Sequence, residues 1–279
     1  MSYPIAIIDA FTDSAFSGNQ AAVCLLDNTA AAASSEWMQS VAAEMNLSET
    51  SFLIKRESGD WNLRWFTPIV EITLCGHATL AAAHALWELH GETNRLLVFH
   101  TLGGEVSAEK IDTGIRLNFP VTDLQACTET TYQKHLTSAF QLSNVQLPAN
   151  HIFEAGEDLL VMLDSAEAVE SLQPDISQIA KIDRRGLIVT AAGGRNEVDF
   201  TSRFFAPNAG IAEDPVTGSA HCALANFWSS RLGKTTMRGY QASKRGGYVG
   251  VTLAGDRVLL DGQAVTVMKG ELGELACRS

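Results

Sequence analysis

Two short stretches of this chain could hold an anion with backbone alone: Cys75-Gly76-His77-Ala78-Thr79 and Pro215-Val216-Thr217-Gly218-Ser219. Each sets a glycine at the opening of an alanine-rich segment that reads as a helix. The first N–H groups of a helix have no partner inside it, and its dipole is positive at that end. Glycine there lets a ligand come close to the backbone. One such end makes an anion site. Two of them, facing each other across a cleft by internal pseudo-symmetry, would grip a carboxylate or a developing enolate from both sides. For either loop alone, a glycine that merely permits a tight loop-to-helix turn explains as much. The recurrence of the loop favours a site.

The recurrence extends beyond the glycines. Arg64-Trp65-Phe66-Thr67-Pro68 is echoed by Arg203-Phe204-Phe205-Ala206-Pro207, and setting Gly76 on Gly218 puts Ala78 on Ala220, Ala81 on Ala223 and Ala83 on Ala225. Gly76 follows Pro68 by 8 positions and Gly218 follows Pro207 by 11, so the second loop carries three extra residues. Upstream, Leu53-Ile54 is matched with Leu187-Ile188, which makes Asp183 the counterpart of Glu49. The neighbouring Arg184-Arg185 reads as an exposed turn. A duplication explains this order of elements better than chance.

The elements that must position these residues follow from periodicity and turn signals. Ile5 to Asp9, Ala21 to Leu26, Thr50 to Ile54 and Asn62 to Phe66 read as strands, and Trp37 to Ala43 as an amphipathic helix. Thr73 to His90 and Thr217 to Leu232 read as the two alanine-rich helices. Pro120 to Asn150 is the least patterned region. The boundary is therefore expected there, with an N-terminal lobe over 1–119 and a C-terminal lobe over 120–279, whose last strand is free to pack back on the first lobe.

The chain has 279 residues, 46% of them hydrophobic, which suits two lobes with cores of their own. Its 20 basic and 32 acidic residues give a net charge of −12 with no basic stripe, so nucleic acid is not an expected partner. No apolar run approaches the length of a membrane helix, and no targeting segment opens the chain. Cys24, Cys75, Cys127, Cys222 and Cys277 are odd in number, widely spaced and without a C-x-x-C, which fits free thiols in a cytoplasmic protein. The histidines form no metal motif, and no dinucleotide or phosphate-loop fingerprint is present, so neither metal nor cofactor is expected.

Several strings together are specific. Phe16-Ser17-Gly18-Asn19, Asn46-Leu47-Ser48-Glu49-Thr50, Phe66-Thr67-Pro68 with Glu71, the Cys75-Gly76-His77-Ala78-Thr79 loop, and Glu213-Asp214-Pro215-Val216-Thr217-Gly218-Ser219-Ala220 after Gly210 resemble the phenazine-biosynthesis PhzF-like proteins. The resemblance runs from Ile5 to about Leu272. That family belongs to the diaminopimelate epimerase and proline racemase fold. The resemblance therefore implies an α/β protein of two pseudo-symmetric lobes, each a curled β-sheet around a central helix, and a homodimer. Alanine-rich helices suit such a sleeve, which leaves room only for small side chains.

The resemblance also assigns roles. Taken alone, Glu49 reads as a solvated or capping residue of a turn; its Ser-Glu-Thr setting matches the catalytic glutamate of the family, a base whose proton affinity burial can raise. His77 matches a pocket histidine able to donate a hydrogen bond or shuttle a proton. Asp214 matches a residue that orients an amine or hydroxyl or assists proton relay. Asn19, Gly76, Thr217, Gly218 and Ser219 match substrate-binding positions, although Asp214, Thr217 and Ser219 also suit helix capping. Racemases of this fold use two thiols. Cys75 fills the first position, while Pro215, counted back from Thr217-Gly218, stands at the second.

The expected activity is a cofactor-independent proton shift on a small anionic substrate, a carboxylic acid, with Glu49 as general acid and base. An epimerase using Cys75 with another base, and a non-catalytic binding protein on the same scaffold, are the alternatives.

Overall fold

The computed structural model describes residues 2–27, 34–127, 130–141 and 147–273; Cys277 lies outside them. The strands are β1 (Tyr3–Ala10), β2 (Asn19–Leu26), β3 (Glu49–Lys55), β4 (Trp61–Phe66), β5 (Glu71–Ile72), β6 (Leu96–Thr101), β7 (Gly104–Ile111), β8 (Gly114–Pro120), β9 (Leu124–Ala126), β10 (Ile152–Ala155), β11 (Asp158–Met162), β12 (Leu187–Ala192), β13 (Phe200–Ala206), β14 (Ile211–Asp214), β15 (Thr236–Gln241), β16 (Gly247–Ala254), β17 (Arg257–Gly262) and β18 (Ala264–Leu272). The helices are α1 (Ser35–Met45), α2 (Gly76–Leu89), α3 (Thr130–Ala139), α4 (Ala166–Ser171), α5 (Ile176–Ile179) and α6 (Gly218–Leu232). None of these helices is long and apolar enough to cross a membrane.

The chain forms two compact units, one of Met1–Phe119 with Leu259–Ser279 and one of Pro120–Val258. In the first, β1 pairs antiparallel with β2 and with β18, β2 runs parallel to β3, β3 antiparallel to β4, and β4 parallel to β6. The second repeats the scheme: β10 antiparallel to β11, β11 parallel to β12, β12 antiparallel to β13, and β13 parallel to β15.

The sequence explains why each sheet wraps a helix. In α2, Ala78, Leu80, Ala81, Ala82, Ala83, Ala85 and Leu86 are all fully buried, against β1, β2, β3, β7 and β18. In α6, Ala220, Ala223, Leu224, Ala225 and Phe227 are buried in the same way. A helix apolar on every side is stable only when enclosed, and its alanines let the strands approach closely. The other face of each sheet is covered separately. Trp37, Met38 and Val41 of α1 pack on Phe52 and Phe66. Leu136 of α3, Val169 of α4 and Ile179 of α5 pack on Leu187, Val189 and Phe205.

The sheet register corrects one internal correspondence. Thr50 stands opposite Phe66, and Leu187 stands opposite Phe205. Since Phe66 and Phe205 are equivalent, Leu187 is the counterpart of Thr50, not of Leu53. The counterpart of Glu49 is therefore Gly186, not Asp183. Gly186 has no space for a side chain, because a Cβ there would lie 2.3 Å from Cζ of Phe204.

Candidate active site

In the first unit, Asn19 opens β2, Glu49 opens β3, and Cys75 and Gly76 start α2 with His77 in its first turn. Because β2 and β3 run parallel and α2 lies against both, these three starts meet. Oε2 of Glu49 lies 3.0 Å from Nε2 of His77. Glu49 is 7% and His77 3% exposed, so the pair is withdrawn from water. The approach is off the line of the ring N–H, and neither atom has a hydrogen-bond partner among the described residues. A buried polar atom without a partner is costly, and active sites are where such costs collect.

The opposite edge of the ring is also occupied. Nδ2 of Asn19 is 3.1 Å from Nδ1 of His77, and Oδ1 of Asn19 accepts from Ser48 Oγ at 3.4 Å. Sγ of Cys75 stands 3.5 Å from the same Nδ1. Burial works against a charged His77 and the Glu49 carboxylate 3.0 Å away works for it, and the balance lies above the usual 6.5. Burial first, and then the Glu49 charge, push the Cys75 thiol up to about 11. Glu49, Cys75 and His77 offer donor atoms within 4.8 Å of one another, a grouping able to hold a metal ion.

In the second unit, Asp214 ends β14 and Thr217 caps α6, followed by Gly218 and Ser219 in its first turn. The Thr217 hydroxyl donates to Asp214 Oδ2. Gln241, at the end of β15, is a residue that sequence reasoning missed. Its Oε1 accepts from Thr217 N at 2.8 Å, and its Nε2 donates to Asp214 O at 2.7 Å. Nothing in the sequence around it signals this role. Ser219 Oγ accepts from Arg185 at 3.1 Å, while Arg185 Nε donates to Asp158 at 2.9 Å. Arg185 is thus not part of an exposed turn; half-buried over the Phe204 ring, it is tied to the helix start.

The second unit has no thiol at its helix start. Cys75 and Thr217 occupy the same cap position, each directly before the helix-opening glycine. Pro215 lies two residues ahead of that cap. Cys222 is buried inside α6, where burial pushes its thiol up to about 12.

The comparisons agree with this architecture. The model of the phenazine biosynthesis-like protein family matches residues 8–270. An uncharacterized isomerase of Halalkalibacterium halodurans is 45% identical over 273 residues, covering 98% of this chain and 99% of that protein. The crystal structure of a phenazine biosynthesis protein of the PhzF family from Enterococcus faecalis superposes with a TM-score of 0.85 at 38% identity, covering 98% of this chain and 100% of that one. A hydroxyproline epimerase from Agrobacterium vitis shares the fold at 11% identity and a TM-score of 0.61, covering 99% and 94%. The duplicated sheet-wrapped helices and the matched length together place the chain in the phenazine biosynthesis-like protein family.

Proposed function

We propose that this protein is an isomerase that moves a proton on a small carboxylic acid without a cofactor, with Glu49 as its general acid and base. The observation that carries the reading is the buried contact between Glu49 and His77, two titratable groups 3.0 Å apart at a helix start. Glu49 takes a proton from carbon and returns it elsewhere on the substrate. His77, held toward its charged form, donates to the oxygen on which negative charge develops. A conjugated acid delocalises that charge itself, so the reaction asks for no electron sink beyond the substrate. Of the expected substrate contacts, Asn19 and Gly76 stand beside the Glu49 and His77 pair in the same unit, while Asp214, Thr217, Gly218 and Ser219 group at the helix start of the other. The isomerase name of a relative 45% identical supports the same class.

A thiol mechanism is less well supported. Burial pushes the Cys75 thiol up to about 11, and Thr217 stands at its equivalent position.

The test is proton exchange followed by NMR in heavy water, with a panel of small cyclic and amino-bearing carboxylic acids. Deuterium should enter a carbon position with the wild-type protein, and Glu49→Gln should slow this about 10²–10⁴-fold. A substrate exchanged equally well by both proteins would overturn the role of Glu49.

A further inference from the structure

The two central helices start differently from the other capped helices. The starts of α1, α4 and α5 are closed by Ser34, Ser165 and Asp175, whose side chains accept from first-turn N–H groups. At Cys75 and Thr217 no side-chain hydrogen bond caps the helix. A helix start without a side-chain cap leaves first-turn N–H groups without that partner. It also keeps a capping oxygen away from N–H groups that a bound anion needs. At the second start Gln241 accepts from Thr217 N, and behind both starts stands one further arrangement common to the two units.

In each unit an arginine and a glutamate form a fork behind the start. Arg64 on β4 donates through Nε and Nη2 to the two oxygens of Glu71 on β5, both at 2.7 Å. Arg203 on β13 donates in the same way to Glu213 on β14, at 2.7 and 3.0 Å. The surroundings are repeated as well. The guanidinium of Arg64 lies 5.0 Å from the ring of Phe66, and that of Arg203 lies 4.9 Å from the ring of Phe205. Each arginine also reaches the outer helical layer, Arg64 at Ser35 and Arg203 at the carbonyls of Val169 and Leu172. Glu71 and Glu213 each stand five residues before the helix-opening glycine, although the loops differ in length. The extra residues of the second loop fall between its proline and its glutamate. The spacing that is kept is the one from fork to helix.

We infer that Arg64 with Glu71, and Arg203 with Glu213, are positioning residues that hold the two uncapped helix starts from behind. This rests on the proposed use of those starts for substrate. A planar fork fixes the direction of the glutamate as well as its distance, which a single-point contact does not. In the first unit, the short segment from Glu71 to Cys75 then ties the fork on β4 and β5 to the start of α2.

The test uses the thiols and needs no substrate, so it reads the fork even if the chain catalyses no proton exchange. The whole protein is treated with iodoacetamide under native conditions, and Cys75 and Cys24 are quantified by peptide mass spectrometry. Both are buried in the first unit, but Cys24 lies within β2, away from the helix start. Arg64→Ala and Glu71→Gln should raise the Cys75 rate about tenfold, with the Cys24 rate unchanged. A role confined to stability would raise both rates in parallel. That result, or a Cys75 rate equal to wild type in both variants, would overturn the inference. If Arg64→Ala does not fold, the near-isosteric Glu71→Gln decides the matter alone.

Discussion

Asn19 faces the edge of the His77 ring that Glu49 does not touch, with its Nδ2 3.1 Å from Nδ1. The ring is therefore fixed by two neighbours on opposite sides. Asn19→Ala should leave the fold intact, since β2 is paired along its length with β1 and β3. It should reduce proton exchange about 10²-fold through misorientation of the ring. Exchange kinetics and a melting curve on the same sample separate the two effects.

Cys75 touches the same ring, yet its thiol is pushed up to about 11 and stays protonated at neutral pH. A protonated thiol is neither nucleophile nor base. Cys75→Ala should retain exchange within about threefold of wild type, whereas Glu49→Gln should not. The reverse ranking would transfer the proton chemistry to the thiol.

His221 makes stability depend on pH. It is fully buried in α6 with Nδ1 2.8 Å from the Thr217 carbonyl. Burial lowers its pKa from 6.5 to about 4. The folded value lies below the unfolded one, so the unfolded chain binds the proton first as pH falls. Stability from the neutral ring is present above about pH 6.5 and is lost progressively toward pH 4, by about 3 kcal/mol in all. Urea midpoints measured over that window should fall more steeply for wild type than for His221→Gln.

Gly186 should resist substitution. A Cβ at this position meets Phe204 at 2.3 Å, so Gly186→Ala should cost about 1–3 kcal/mol by overpacking. Phe204→Leu should recover part of that loss in the double variant. Additive losses in a denaturation cycle would show that the two side chains do not compete for one space.

The fold was legible in the sequence mainly through the family resemblance, and the two unusual helices agree with it. Two alanine-rich runs opened by glycine fit the enclosed helices that the resemblance implies. The repeat of Arg64-Trp65-Phe66-Thr67-Pro68 in Arg203-Phe204-Phe205-Ala206-Pro207 marked the duplication correctly. The match of Leu53 with Leu187 failed because register is set by cross-strand pairing, and apolar pairs recur too often in strands to fix it. That error of three residues pointed to Asp183, and Arg185 beside it was read as part of an exposed turn although it is tied to Asp158 and Ser219. The forks were visible in principle, since Glu71 and Glu213 keep one spacing to the glycines. Gln241 was not, because a glutamine at a strand end carries no signal until the chain brings it to Thr217.

The strand β18 pairs with β1 along nearly its whole length, while the second unit is one continuous stretch of chain. During synthesis, residues 120–258 can therefore complete their unit first. Until residues 264–272 emerge, β1 has neighbours on one side only, and the exposed edge of a strand is a place where foreign chains add. The nascent protein is thus most vulnerable to aggregation in the interval before its last strand leaves the ribosome.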